Sequence, residues 1–265
     1  MLEENTIHLG DCLDLMRLIP DKSIDLVITS PPYDNLREYN GAIEGWCEEK
    51  SNQIIDHLFL KIKDGGTVVW IVGDATVNGS ETGSSFKQAL YFKNIGFNIH
   101  DTMIWNKGGF SAVGALQKRY APVFEYMFIF TKGPIKTFNP LKDRQSKHGG
   151  KYFQGTIRKP DGSTKPFSKK GIVNQYGQRF NIWDCSPQRT RVNHPAPFPL
   201  NLIQDHILSW SNPNDLILDP FSGSGTTAIA AHNLGRRFVC IEKDEDYHAA
   251  SVQRLKDTQA QLRLF

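Results

Sequence analysis

Covalent and metal bracing are almost absent from this sequence. Its four cysteines, Cys12, Cys47, Cys185 and Cys240, are widely scattered and form no C-x-x-C pair. That excludes a disulfide framework and a zinc ribbon as the basis of the fold. The eight histidines show no metal-ligand spacing either. No apolar run approaches the ~20 residues of a membrane span, and nothing reads as a secretory leader. A soluble, cytoplasmic protein with no membrane partner is the expectation. With 265 residues, one large α/β domain with an insertion, or two small domains, can bury enough surface to fold unaided.

Acidic residues are scarce in one stretch. Between Lys132 and Arg179 there are twelve Lys and Arg but only Asp143 and Asp161, so this stretch is +10 and the rest of a +3 chain is −7. Aromatics are interleaved with the charge: Phe138, Tyr152, Phe153, Phe167, Tyr176 and Phe180. A solvated lysine-rich loop needs no such rings, whereas a surface facing a polyanion uses both. Residues 132–192 also lack clear periodicity. They read as an inserted lobe in a body that otherwise alternates strand and helix.

That alternation predicts strands over 6–10, 24–30, 65–74, 97–105, 123–131, 215–221 and 236–244, with helices between most of them. Helical spacing of Ile54, Ile55, Leu58 and Ile62 marks one over 47–63, and the chain closes on an amphipathic helix over 245–262. Strands alternating with helices imply βαβ units and a mostly parallel sheet.

The stretch "LILDPFSGSGTTAIAA" sets a glycine turn between a strand and a helix. Gly223, Gly225 and Ala228 satisfy G-x-G-x-x-G/A, and Glu242 follows Gly223 by 19 residues at the next strand end. Glycines let the backbone approach a ligand, the N–H groups at Thr226 and Thr227 suit an anionic group, and the acid suits a ribose diol. No Lys-Ser/Thr pair closes the turn, which disfavours a phosphate-binding P-loop. NAD and S-adenosylmethionine both remain open on this pattern alone. Asp219, just before the turn, suits a cationic amino group better than a pyrophosphate.

A second motif, "TSPPYDN" over 29–35, ends the strand "IDLVI" on two prolines flanked by Ser30 and Tyr33. Together, "TSPPY" and "DPFSGSGTT" resemble the two signatures of S-adenosylmethionine-dependent DNA methyltransferases that modify exocyclic amino groups. The order, Ser-Pro-Pro-Tyr motif first, basic insertion, then cofactor motif, resembles the permuted beta class, and the similarity spans nearly the whole chain. It includes "GDCLDL" (10–15) and "HPAPFP" (194–199).

The resemblance implies a Rossmann-like α/β methyltransferase fold, with a twisted, mostly parallel seven-stranded sheet, helices on both faces and an antiparallel last hairpin. Residues 1–131 and 193–265 would form the catalytic domain, and 132–192 the target-recognition region. Asp219, Phe221, Ser222, Gly223, Gly225, Thr226 and Thr227 would surround the methionine part of the cofactor, and Glu242 the ribose. Asp11 and Cys12 would meet the adenine, with Pro197 and Phe198 on the other side. Ser30, Pro31, Pro32 and Tyr33 would be catalytic.

The chemistry fits those residue types. The lone pair of an exocyclic amine is delocalised, and two acceptors aimed at its N–H bonds, the Ser30 hydroxyl and the Pro31 carbonyl, would localise it. Prolines hold that carbonyl still. Tyr33 would stack on a base flipped out of the duplex, and 34–39 would form a loop closing over it. Attack at cytosine C5 would need a thiolate on a Pro-Cys turn, which the chain lacks. In the family this chain resembles, Ser at the first motif position goes mainly with cytosine and Asp with adenine. The resemblance therefore implies cytosine N4 ahead of adenine N6, although either acceptor can serve either base.

The expected partner is double-stranded DNA, which Arg37, Lys142, Arg144, Lys147, Lys151, Arg158, Lys159, Lys169 and Lys170 would grip. Whether the chain forms a homodimer, or accompanies a cognate restriction endonuclease, is open. The alternatives explain less. An RNA or protein-glutamine methyltransferase does not account for the permuted order and basic insertion. An NAD-dependent oxidoreductase leaves "TSPPY" without a role, and a DNA-binding module without catalysis leaves both motifs unexplained.

Overall fold

The computed structural model describes residues 2–32, 46–109, 118–153, 155–166, 171–187 and 197–262. They form two compact units, one of residues 1–139 with 181–265 and one of Pro140–Phe180.

The larger unit is built on one eight-stranded sheet. Its elements in chain order are β1 (Thr6–Leu9), α1 (Cys12–Met16), β2 (Ile24–Thr29), α2 (Glu48–Lys61), β3 (Ile62–Val72), α3 (Ser84–Asn94), β4 (Asn98–Asn106) and β5 (Phe124–Thr131). They continue with β6 (Ile182–Asp184), α4 (Leu200–Trp210), β7 (Leu216–Asp219), α5 (Thr226–Asn233), β8 (Arg237–Glu242) and α6 (Glu245–Leu262). The strand order is β1-β8-β7-β2-β3-β5-β4-β6. Only β5 runs against its neighbours, β3 and β4; every other pairing is parallel.

Strands β2, β3, β7 and β8 are apolar runs buried on both faces, as a parallel sheet covered by helices requires. One face packs Ile54, Ile55 and Leu58 of α2 and Phe92 of α3 against Val27, Val68, Trp70 and Phe130. Helix α5 is buried along Thr226–Ala231, and its small Ala228, Ala230 and Ala231 suit close packing against the sheet.

From β2 the chain crosses to β3 on one side, whereas β7 on its other side leads outward to β8 and β1. The strand order therefore reverses at β7/β2, and in such sheets the crevice beyond the strand ends is where ligands bind.

The sheet has one strand more than the seven expected. Ile182–Asp184 pairs in parallel with β4, Trp183 opposite Trp105, although the sequence places it within the insertion. Three residues with only Trp183 buried are too short to show a period. A hairpin of Thr76–Val77 with Ser80–Glu81 is a further addition, its Asn78-Gly79 pair being a turn signal.

The smaller unit is a single antiparallel arm. Arg144–Gln145 pairs with Tyr176–Gly177, then Tyr152–Phe153 with Gly171–Ile172, then Thr156–Arg158 with Thr164–Pro166. These pairs nest one inside the next. Backbone bonds from Ser146 N to Gln175 O and from Gly150 N to Val173 O, both 2.8 Å, bridge the intervals.

Candidate active site

The strand order places four sequence-predicted residues in a row. Asp11 lies just beyond β1, Glu242 ends β8, Asp219 ends β7 and Ser30 follows β2. These strands are successive neighbours, so at about 4.8 Å per strand the row is roughly 14 Å long. In the sequence the same residues are spread from position 11 to 242.

Asp219 is the centre of the row. Its Oδ1 accepts from Thr29 Oγ1 at 2.7 Å and from Phe221 N at 3.1 Å, and its Oδ2 accepts from Thr227 Oγ1 at 2.6 Å. Only 2% of the residue is exposed. Every one of these donors is neutral, and burial pushes the carboxyl up to about 6 against their stabilising bonds. A buried carboxylate held by neutral donors is a site for a cation. The Thr29 bond also clamps the strand of the Ser-Pro-Pro motif to the strand of the glycine turn.

Glu242 organises that turn. Its Oε2 accepts from Gly223 N at 2.7 Å and its Oε1 from Asp244 N at 2.9 Å, and burial raises its pKa. The turn closes through Gly225 N to Ser222 O at 2.9 Å. Gly225 caps α5 in the left-handed region (φ +76), and a Cβ there would lie 2.9 Å from Ser251 Cβ. Glycine is therefore required for both backbone and packing reasons. Ser222, Thr226 and Thr227 are buried, and Phe221 packs at the edge of the core.

Asp11 caps α1 by accepting from Leu13 N at 2.9 Å, and its other oxygen pairs with Lys50 Nζ at 2.9 Å. Burial acts to raise its pKa, but the bonds to Lys50 and Leu13 outweigh it and the carboxyl titrates below its ordinary range. Cys12 is buried and its thiol is pushed up to about 12, chiefly by burial. It is a protonated packing group, with no thiolate to offer.

Two further residues near the site carry no sequence signal. Lys50 comes from the first turn of α2, and Trp46, just before that helix, stands edge-on to Phe221 with centroids 5.7 Å apart. Neither belongs to a motif; only the fold brings them to the row. Replacing Lys50 by Met removes the nearer of Asp11's two cations, leaving Lys243 Nζ at 4.0 Å, so its pKa should rise. Cofactor affinity is then expected to fall about threefold to tenfold, more at pH 5 than at pH 8, by calorimetric titration. An unchanged pH profile would refute the role.

Pro31 is buried and Ser30 half-buried at the end of β2. Pro197 and Phe198 precede α4, where the Phe198 ring lies 6.2 Å from that of Trp105 at the end of β4. Tyr33, Arg37, Lys169 and Lys170, and the loop expected over 34–39, lie outside the described residues. In the arm, Lys142, Lys147, Lys151, Arg158 and Lys159 are exposed. Arg144 is placed differently: its Nε donates to Gln178 O at 2.9 Å and its guanidinium lies 4.3 Å over the Phe180 ring. It ties the base of the arm together.

The donor set discriminates between ligands. Three carboxylates along one row would repel a pyrophosphate, but they match a cationic amine, a ribose diol and an adenine amine. The residues present thus fit S-adenosylmethionine and not NAD.

Comparison with known proteins gives the same direction. Residues 24–253 match the family described as N6_N4_Mtase, DNA methylase. The orphan methyltransferase M.BamHII of Bacillus amyloliquefaciens is 47% identical over 90% of this chain and 91% of its own. The DNA adenine methyltransferase YhdJ of Escherichia coli K12 is 30% identical over 96% of this chain and 83% of its own. Among solved structures, a DNA modification methylase of Thermus thermophilus, TTHA0409, in complex with S-adenosyl-L-methionine superposes with a TM-score of 0.65. It is 25% identical, over 96% of this chain and 95% of that one.

Proposed function

Because this chain belongs to the N6_N4_Mtase family of DNA methylases, we propose that it methylates N4 of cytosine in duplex DNA at a specific site, on a base flipped from the helix. It is an S-adenosylmethionine-dependent DNA methyltransferase acting on cytosine N4 or adenine N6. Methyl transfer at this site is supported by one observation above others: Thr29 Oγ1 donates to Asp219 Oδ1 at 2.7 Å. This bond holds the Ser-Pro-Pro strand beside the strand whose end suits the cofactor's cation.

The cofactor supplies an electrophilic methyl group on a sulfonium. In the proposed site, Asp219 holds the amino group of its methionine part, and Glu242 and Asp11 take the ribose hydroxyls and the adenine amine. The Ser30 hydroxyl and the Pro31 carbonyl accept from the two N–H bonds of the target amine, concentrating its lone pair on nitrogen. The bond at Thr29, next in sequence to Ser30, and the fixed φ of Pro31 keep these acceptors in place. Tyr33 stacks on the flipped base, contributing roughly 1–3 kcal/mol toward its extrusion.

Ser30 favours cytosine in this reading through the resemblance alone, since Ser at that motif position goes mainly with cytosine in the family. Adenine N6 is the second reading, favoured by the 30% identical relative named a DNA adenine methyltransferase. Sequencing that detects modified bases in a host expressing the chain tests both. N4-methylcytosine at a fixed sequence is expected; N6-methyladenine alone would overturn the choice of base.

Target recognition is assigned to 132–192. Alanine at Lys142, Lys147 or Lys151 should weaken binding to all duplexes alike and lower the salt dependence by about one unit each. Lys169 and Lys170 carry the same expectation. Substitutions neutral in a salt titration would place the DNA surface elsewhere.

A further inference from the structure

The nested pairing of the small unit makes Thr156–Pro166 its terminal ribbon: the chain leaves through Arg144–Gln145 and Tyr152–Phe153 and returns through Gly171–Ile172 and Tyr176–Gly177. All residues from 156 to 166 are exposed. A two-stranded ribbon with both faces in water has no core of its own and is marginal unless its turn is well specified.

This turn is well specified. Lys159-Pro160-Asp161-Gly162 closes through Gly162 N to Lys159 O at 2.9 Å, and Lys159 N donates to Ser163 O at 2.7 Å. Gly162 sits in the left-handed region at φ +84, as a type I turn followed by a glycine bulge requires. Asp161 Oδ1 accepts from Ser163 N at 2.9 Å and Ser163 Oγ at 2.6 Å. The ribbon's acid is thus engaged by its own turn, while Arg158, Lys159 and Lys165 face solvent.

Register sorts the side chains. Ile157 is opposite Lys165, and Arg158 is opposite Thr164. Thr156 is opposite Pro166, so one face presents Thr156, Arg158, Thr164 and Pro166, and the other Ile157 and Lys165. Beside Pro166, the first face carries three hydrogen-bonding side chains suited to base edges, with an arginine able to grip guanine O6 and N7 together. The ribbon's backbone is about 5 Å wide and its reach is about 10 Å. The major groove, about 12 Å wide and 8.5 Å deep, admits a two-stranded ribbon.

We propose that the Thr156–Pro166 ribbon enters the major groove of the target duplex and reads its sequence, with Arg158 and Thr164 toward the bases and Lys165 toward phosphate. This rests on the reading of the chain as a site-specific DNA methyltransferase, and it separates the ribbon, which selects sequence, from Lys142, Lys147 and Lys151, which grip the backbone.

The test is methylation by the full chain of a duplex pool randomised one position at a time around its site, with calorimetric binding of S-adenosylmethionine as a check of folding. Arg158→Ala should lower discrimination at one position by about tenfold to a hundredfold. Arg158→Lys, which keeps the charge and loses the paired contact, should recover affinity but not discrimination. Lys165→Ala should weaken all sequences alike and reduce the salt slope by about one. Arg158→Ala and Arg158→Lys with unaltered discrimination at every position would overturn the ribbon's role while leaving the methyltransferase reading intact. Failure of the unsubstituted chain to methylate any duplex would instead strike that reading itself.

Discussion

Replacing Asp219 by Asn is expected to weaken S-adenosylmethionine binding about tenfold to a hundredfold, the ~1.5–3 kcal/mol of a hydrogen bond to a charged group. Asn is the informative change. Its carbonyl can still accept from Thr29 and Phe221, and its amide can donate to the Thr227 hydroxyl, so the clamp between β2 and β7 survives. Alanine would strand three buried donors, at roughly 1–3 kcal/mol each, and confound binding with folding.

The pH dependence is a second readout. Burial pushes the Asp219 carboxyl up to about 6, and a cationic ligand favours its ionised form. Affinity should therefore fall as pH drops through about 6 and level off above ~7. The Asn variant should lose that step, as calorimetry from pH 5 to pH 8 would reveal. The ligand-free protein has the opposite sign. Between about 4 and 6 the folded carboxyl keeps a proton that an unfolded chain releases, so this group's contribution to stability declines as pH rises across that window.

Changes at the Ser-Pro-Pro motif should separate from this behaviour. Ser30→Ala removes one of two acceptors for the target amine and is expected to slow methyl transfer on the order of a hundredfold at saturating cofactor. Cofactor affinity should stay close to normal, since Ser30 is the last member of the row. Tyr33→Ala should mainly weaken capture of the flipped base, by about tenfold to a hundredfold. Single-turnover transfer, with cofactor binding measured in parallel, distinguishes the two. A loss of cofactor affinity equal to the loss of rate, in either variant, would argue against the division of labour between β2 and β7.

Much of this was legible in the sequence because the two motifs state backbone requirements. A glycine turn between strand and helix, and paired prolines at a strand end, each restrict conformation enough to be recognised without a partner. Their neighbouring positions then follow from the strand order. Lys50 and Trp46 were not legible, since a lysine in a helix and a tryptophan before it have many uses, and only packing selects one. Strand β6 is hidden in the sequence because three residues cannot display alternation. The arm is hidden for a related reason. Its strands run two or three residues with almost every side chain exposed, so no apolar period records which segments pair. The basic charge was visible, but not that Arg144 is engaged within the arm while Arg158 sits on an open face.

The central claim is that one row of strand ends joins a cofactor's cation at Asp219 to a target amine at Ser30 and Pro31. Transfer of a labelled methyl group from S-adenosylmethionine, offered duplex DNA, RNA of the same sequence and protein in one reaction, tests it most directly. The label is predicted on the exocyclic nitrogen of a DNA base, as N4-methylcytosine by nucleoside mass spectrometry, with the RNA and protein unlabelled. Label on RNA or protein alone, or on carbon 5 of cytosine, would contradict the account.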